Sequence, residues 1–189
     1  MKRSQILSLF KLPVLLMFAS VTLVPISATA ALNAFMTATG ETQGAITGGA
    51  TQTGREGSME VLEFSHSVSQ SIDSASGLPT GKRQHRPIRI VKDVDKASPI
   101  LMTVLTSNEN LTEVRINFWR PNLSGQEIQF YTVELVNAKI TNISQISGSE
   151  DELLQKPAQE TITFTYQKII WTWQDGNITS EDDWQTPVQ

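Results

Sequence analysis

His66 and His85 are the only two imidazoles in a chain of 189 residues that contains no cysteine. Thiol catalysis, iron–sulfur clusters, zinc ribbons and redox motifs therefore have nothing to use, and a multi-histidine metal site is short of donors. His66 falls on the apolar face of a strand-like run, as a satisfied core or interface histidine does. His85 stands in a basic stretch with Arg83, Arg86 and Arg89 and reads as a loop residue. No G-x-S-x-G elbow supplies a nucleophilic serine. The run Gly77-Leu78-Pro79-Thr80-Gly81-Lys82 is close to a phosphate loop, but its first glycine is one position out of place and Arg83 stands where a Ser or Thr should meet the metal. Glu150-Asp151-Glu152 and Glu181-Asp182-Asp183 lack the Asp/Gly spacing of a calcium loop and read as solvated acidic loops. These residues yield no catalytic, cofactor-binding or metal-binding set.

The totals point the same way. Hydrophobic residues make up 39% and charged residues 18%, which suits one ordinary domain able to bury its own core. A net charge of −4 opposes a nucleic-acid partner, which calls for a basic face. Residues 1–30 differ from the rest: Lys2 and Arg3 precede an uncharged run from Leu12 to Ile26, and Ser27-Ala28-Thr29-Ala30 closes it. That is the pattern of a secretory leader cleaved after Ala30, and the apolar run is too short and too proline-interrupted for a membrane span. Cleavage would remove Lys2, Arg3 and Lys11 and no acid, leaving 12 basic and 19 acidic residues and a net charge of −7. The mature product, residues 31–189, is expected to be one domain with no membrane span, either secreted or periplasmic.

Period-two alternation along that product marks half-buried strands. Leu62, Phe64, His66 and Val68 share a face in 59–68, and Val114, Ile116 and Phe118 do so in 111–119. Segment 128–146 holds two strand-like runs, with Tyr131, Val133 and Leu135 in the first and Ile140 and Ile143 in the second. In 160–173 the apolar set Ile162, Phe164 and Tyr166 gives way after Lys168 to Ile169, Trp171 and Trp173, so a bulge or a two-sided cover is required. One short helix is expected, with Ser98 as N-cap, Pro99 in the first turn and a stripe of Ile100, Leu101, Val104 and Leu105. Residues 44–58, with Gly48, Gly49 and Arg55, read as a long Gly-rich polar arm. Residues 73–87 read as a loop leading into the basic run Lys82, Arg83, Arg86, Arg89 and Lys92.

The order of motifs resembles the haemolysin-coregulated protein family, Hcp, of type VI secretion. It begins with Gly40-Glu41-Thr42-Gln43-Gly44 and Met59-Glu60-Val61-Leu62-Glu63-Phe64-Ser65-His66. Ser76-Gly77-Leu78-Pro79-Thr80-Gly81-Lys82-Arg83, Asp95-Lys96-Ala97-Ser98-Pro99-Ile100-Leu101, Tyr166-Gln167-Lys168-Ile169 and Asp182-Asp183-Trp184 continue it. The resemblance implies a mainly β fold: a β-barrel of two packed sheets with one short flanking α-helix. It also implies homo-hexameric rings that stack into a tube, fired by a contractile sheath behind a VgrG-type spike and able to shelter effector cargo. On that reading the arm with Gly48, Gly49 and Arg55, the basic residues Lys82, Arg83 and Arg86, and the apolar end Ile169, Trp171 and Trp173 are the expected oligomer interface. The leader departs from the family, whose tube is built in the cytoplasm and then injected. The alternative it raises is an exported Hcp-like ring protein acting as a periplasmic or extracellular binding or chaperone module outside a standard apparatus.

Overall fold

The computed structural model describes residues 33–148 and 157–185; the proposed leader and the cluster Glu150-Asp151-Glu152 lie outside the described residues. In chain order come β1 (Asn33–Gly40), β2 (Gly44–Ile46), β3 (Met59–Val61), β4 (Glu63–Ser65), β5 (Val68–Ile72) and β6 (Pro79–His85). They are followed by β7 (Ile88–Asp93), α1 (Ser98–Thr106), β8 (Leu111–Pro121), β9 (Glu127–Ile146), β10 (Gln159–Trp173) and β11 (Ile178–Asp183). The mainly β reading with one short helix is thus what forms, as two unequal antiparallel sheets: one of nine strands and a separate β5–β6 pair.

The large sheet closes on itself. Its path runs β1–β8–β9–β10–β7, and the gap between β7 and β1 is filled by β3, which pairs with β1, and β4, which pairs with β7. Only Leu62 separates those two strands, and its N–H donates to the Val91 carbonyl at 2.8 Å. Closure leaves neither β1 nor β7 as a free edge of the main path, and the inward side chains become one core, with β2 and β11 each attached along one side. That change of partner corrects the face expected for 59–68. Met59 and Val61 point into the core, whereas Leu62 and Val68 are exposed. An even period-two pattern carries no mark of a strand that swaps neighbours midway.

Val114, Ile116, Val133, Leu135, Ile162, Phe164 and Ile169 fill the core as alternation requires. The phase change expected after Lys168 occurs, and β9 changes phase opposite it, from Val133 and Leu135 to Ala138 and Ile140. Residues 128–146 therefore belong to one strand, β9, of 20 residues rather than to two runs. Asn137 carries the change at a left-handed φ of 52°, which asparagine tolerates better than most residues, and its amide donates to Gln167 Oε1 at 2.9 Å.

Helix α1 buries Leu101 and Val104 against the sheet, with Ile100 and Leu105 partly covered. Its N-cap is Ala97 rather than Ser98, because the Ser98 hydroxyl is engaged elsewhere: it donates to Glu160 Oε1 at 2.8 Å and accepts from the Asp95 N–H at 3.0 Å. Lys92 lies in that network with 1% exposure, its ammonium 3.0 Å from Glu160 and 2.8 Å from Asp95. It is therefore no part of an exposed basic run. The Lys92 ammonium holds the Asp95 carboxyl below its ordinary range, against the upward push of burial.

Candidate functional site

The expected Gly-rich arm and the expected loop exchange roles. Residues 47–58 fold back on the barrel through Gly48 N–H to Gly57 O at 2.6 Å and Ala50 N–H to Ser58 O at 2.9 Å. A Cβ on Gly48 would come within 2.4 Å of the Ser58 carbonyl and of Met59, so the backbone approaches there as closely as only glycine allows. Arg55 is 8% exposed; its guanidinium lies 4.9 Å from the Phe35 ring and 4.3 Å from that of Trp119, and it pairs with Glu127. Segment 73–87 in contrast holds a turn followed by the strand β6, Pro79–His85. β6 pairs with β5 in a projecting hairpin that leaves Ile72 66% and Leu78 64% exposed. Asp73 closes its turn by accepting from the Ser76 hydroxyl and from the Ser76 N–H, each at 2.7 Å, and these hydrogen bonds hold its carboxyl below the ordinary range. The hairpin buries so little that it has no hydrophobic alternation, which is why its sequence reads as a loop.

Both histidines sit at the base of that hairpin. Val68 pairs with His85, and the Arg86 N–H donates to Ser67 O at 2.9 Å. His66 and His85 converge on the hydroxyl of Tyr166 in β10, with His66 Nε2 at 2.8 Å and His85 Nδ1 at 2.9 Å. The other nitrogen of His85 faces Asp182 Oδ2 of β11 at 2.6 Å. Arg83 hydrogen-bonds the same carboxylate and donates to the Asp183 carbonyl at 2.8 Å. Trp171 lies over both imidazoles, and the ring of Trp184 is 5.3 Å from that of His85. Glu181-Asp182-Asp183 is accordingly no solvated loop. It lies in β11, with Glu181 paired to Lys168 at 2.8 Å.

A carboxylate only accepts, so His85 Nε2 carries a proton and, in the neutral ring, Nδ1 accepts the Tyr166 O–H. His66 Nε2–H then donates to the Tyr166 oxygen. The bonds run one way, from His66 through Tyr166 and His85 to Asp182. Burial, aided by the Asp182 charge, pushes the Tyr166 hydroxyl well above the phenol range, so it is a fixed donor and no nucleophile. Burial and then the proximity of His85 lower His66. Burial raises Asp182, but hydrogen bonds from Arg83 and His85 outweigh it and the carboxyl stays below its ordinary range. Beside the cluster lies an open cavity of about 230 Å³ lined by His85, Arg86, Pro87, Thr165, Tyr166 and Trp184. Among the described residues no group of three or more His, Asp or Glu side chains is placed to hold a metal ion.

Of the residues expected at an interface, Gly48, Arg55 and Ile169 are buried within the chain itself. Gly49 is exposed, with its N–H donating to Asp95 Oδ2 at 2.7 Å. Lys82 and Arg86 are exposed on or beside β6, whereas Arg83 turns inward to Asp182. Trp171 and Trp173 are half-buried; Trp173 packs against Phe130 and shares the Arg120 guanidinium with it. Tyr166, Asp182 and Trp184 carry no sign in the sequence that they share a site with the histidines. The one available signal was that both histidines bracket a single polar segment.

The family model described as "Type VI secretion system effector, Hcp" matches residues 35–173. The "Major exported protein" of Pseudomonas aeruginosa is 38% identical over 170 residues, covering 82% of this chain and 96% of that protein. Among solved structures, a crystal structure of an Hcp protein shares 31% identity at a TM-score of 0.75, covering 82% of this chain and all of that one. Secreted protein Hcp3 from Pseudomonas aeruginosa shares 33% at 0.65, again over 82% of this chain and 100% of its own. A barrel closed through β3 and β4, with a family match running from β1 to the end of β10, leaves one conclusion: the chain belongs to the Hcp family of type VI secretion.

Proposed function

We propose that this protein is a ring-forming subunit whose work is assembly, with no catalysis of its own. Six copies build a ring, rings stack into a tube, and the lumen encloses effector cargo delivered behind a VgrG-type spike by a contractile sheath. The observation that carries this reading is the β5–β6 hairpin: a polar two-stranded arm with Ile72 and Leu78 in solvent, standing clear of a barrel that needs nothing more to close. An isolated hairpin is marginal in water, and exposed apolar side chains on a projecting arm are satisfied by a neighbour. Head-to-tail contacts in a ring need two unlike patches. The arm with Lys82 and Arg86 supplies one, and the half-buried Trp171 and Trp173 belong to the other. Sedimentation and negative-stain microscopy of the purified protein test this: rings are expected, and a strictly monomeric protein at all concentrations and salt conditions overturns it.

The leader pattern in residues 1–30 favours a second reading, in which the ring protein is exported alone and carries or sequesters another protein in the periplasm or outside the cell. The N-terminal residue of the protein recovered from each compartment separates the two. A terminus at Ala31 outside the cytoplasm supports independent export, and an uncleaved cytoplasmic product supports tube assembly.

A further inference from the structure

We propose that His66, Tyr166, His85 and Asp182 form a proton-operated clasp that locks the base of the β5–β6 hairpin onto β10 and β11 in neutral solution and releases it in acid. Three separate pieces of chain meet there: the two ends of the hairpin, the middle of β10 and the end of β11. The hairpin has almost no buried apolar surface of its own, so these polar bonds and the tryptophan stacking around them fix its direction. The one-way order of donors and acceptors uses every nitrogen facing the Tyr166 hydroxyl and Asp182 with both imidazoles neutral. An added proton on His85 Nδ1 removes the lone pair that receives the Tyr166 O–H. An added proton on His66 places a cation among His85, Tyr166 and Trp171, with no carboxylate among the described residues bonded to it.

The surrounding charges agree. β11 contributes Asp182, already shared with Arg83 of β6, and Glu181, already paired with Lys168 of β10. Arg86 adds a further positive charge at the rim of the adjoining cavity. His66 is the sensor, because burial and His85 both lower it from its ordinary 6.5 while the folded arrangement persists. The opened hairpin thus binds a proton more readily than the closed one. Clasp stability is complete above about pH 6.5 and is lost as pH falls through the lower folded-state value, far above the range where Asp182 titrates. If the hairpin is the assembly arm argued above, its release weakens the ring.

Hydrogen exchange of the full chain, corrected for the intrinsic rate at each pH, reads the clasp directly. Between about pH 7.5 and pH 5, amides of 68–85 are expected to lose protection by about tenfold or more while those of β8 do not. Tyr166→Phe should bring the neutral-pH hairpin to the acid level. His66→Gln, which keeps an N–H donor but cannot take up a proton, should hold protection in acid. Hairpin protection independent of pH, or an unchanged acid transition in His66→Gln, overturns the proposal. Sedimentation of the same samples keeps the two readings apart: rings lost in acid with the hairpin still protected sink the clasp alone, and a pH-dependent hairpin in a protein that never forms rings sinks only the assembly reading.

Discussion

Strands β8 and β10 send alternate side chains into the barrel, whereas β5 and β6 pair by the same antiparallel ladder and leave nearly every side chain in water. The contrast teaches that backbone pairing alone fixes little. Net hydrogen-bond gains of about 1 kcal/mol each barely offset the cost of ordering the chain, so the barrel depends on burial and the hairpin on what grips its base. Loss of a core group should therefore cost the whole fold, while loss of a clasp group should cost mainly the direction of the arm and little of the barrel.

The largest effect is expected at the buried ion network under α1. Glu160→Ala leaves Lys92 with Asp95 as its only carboxylate partner among the described residues and removes acceptors from Ser98 and Gln145. Denaturant unfolding should show a loss of about 3 kcal/mol, from a buried ammonium left with one of its two carboxylates and from the unsatisfied donors of Ser98 and Gln145. A loss under 1 kcal/mol would mean that Asp95 alone suffices. Next comes Gly48→Ala, whose new methyl meets the Ser58 carbonyl and Met59. Overpacking of this kind costs about 1–3 kcal/mol. A neutral result would show that 47–58 can lift off the barrel, and would restore something of the arm expected there.

These two sites also mark how far the sequence was legible. Val114, Ile116, Ile162, Phe164 and the helix stripe were readable because burial on one face writes a period into the chain. Lys92 and Arg55 were not, since a charged residue in a solvated run and one in a buried pair look alike until their partners arrive from Glu160 and Glu127. The hairpin was hidden for the opposite reason: strands that bury nothing carry no alternation. His66 is a satisfied histidine, as its place on an apolar face implies, yet its partner Tyr166 lies 100 residues away and His85 reaches it from the other end of the hairpin. No local pattern announces such a meeting.

A smaller effect is expected from Asp182→Asn, which removes the charge that both Arg83 and His85 address but keeps the size of the side chain. Stability of the barrel should fall by about 1 kcal/mol, since the group is partly exposed and solvent screens much of the interaction. Tryptophan emission should change more than that figure suggests, because Trp184 and Trp171 both lie against His85. An unchanged spectrum with full stability would mean that Arg83 and His85 find other acceptors and that β11 is held by its ladder to β10 alone.

The smallest effect on folding and the sharpest on assembly should come from one substitution at the hairpin tip. Leu78 is 64% exposed and touches no part of the core, so Leu78→Ser should shift the unfolding midpoint by the equivalent of no more than about 0.5 kcal/mol. On the ring-forming reading, that same side chain is buried against a neighbouring copy. Losing a buried leucine at a contact repeated around a closed ring weakens every contact at once, by about 2 kcal/mol or more at each. Rings should then give way to monomers on sedimentation while the barrel remains as stable as before. Were both stability and rings unchanged, the apolar tip would have no partner within the assembly. The hairpin would then be set apart from the barrel by the clasp alone, where both histidines of the chain meet.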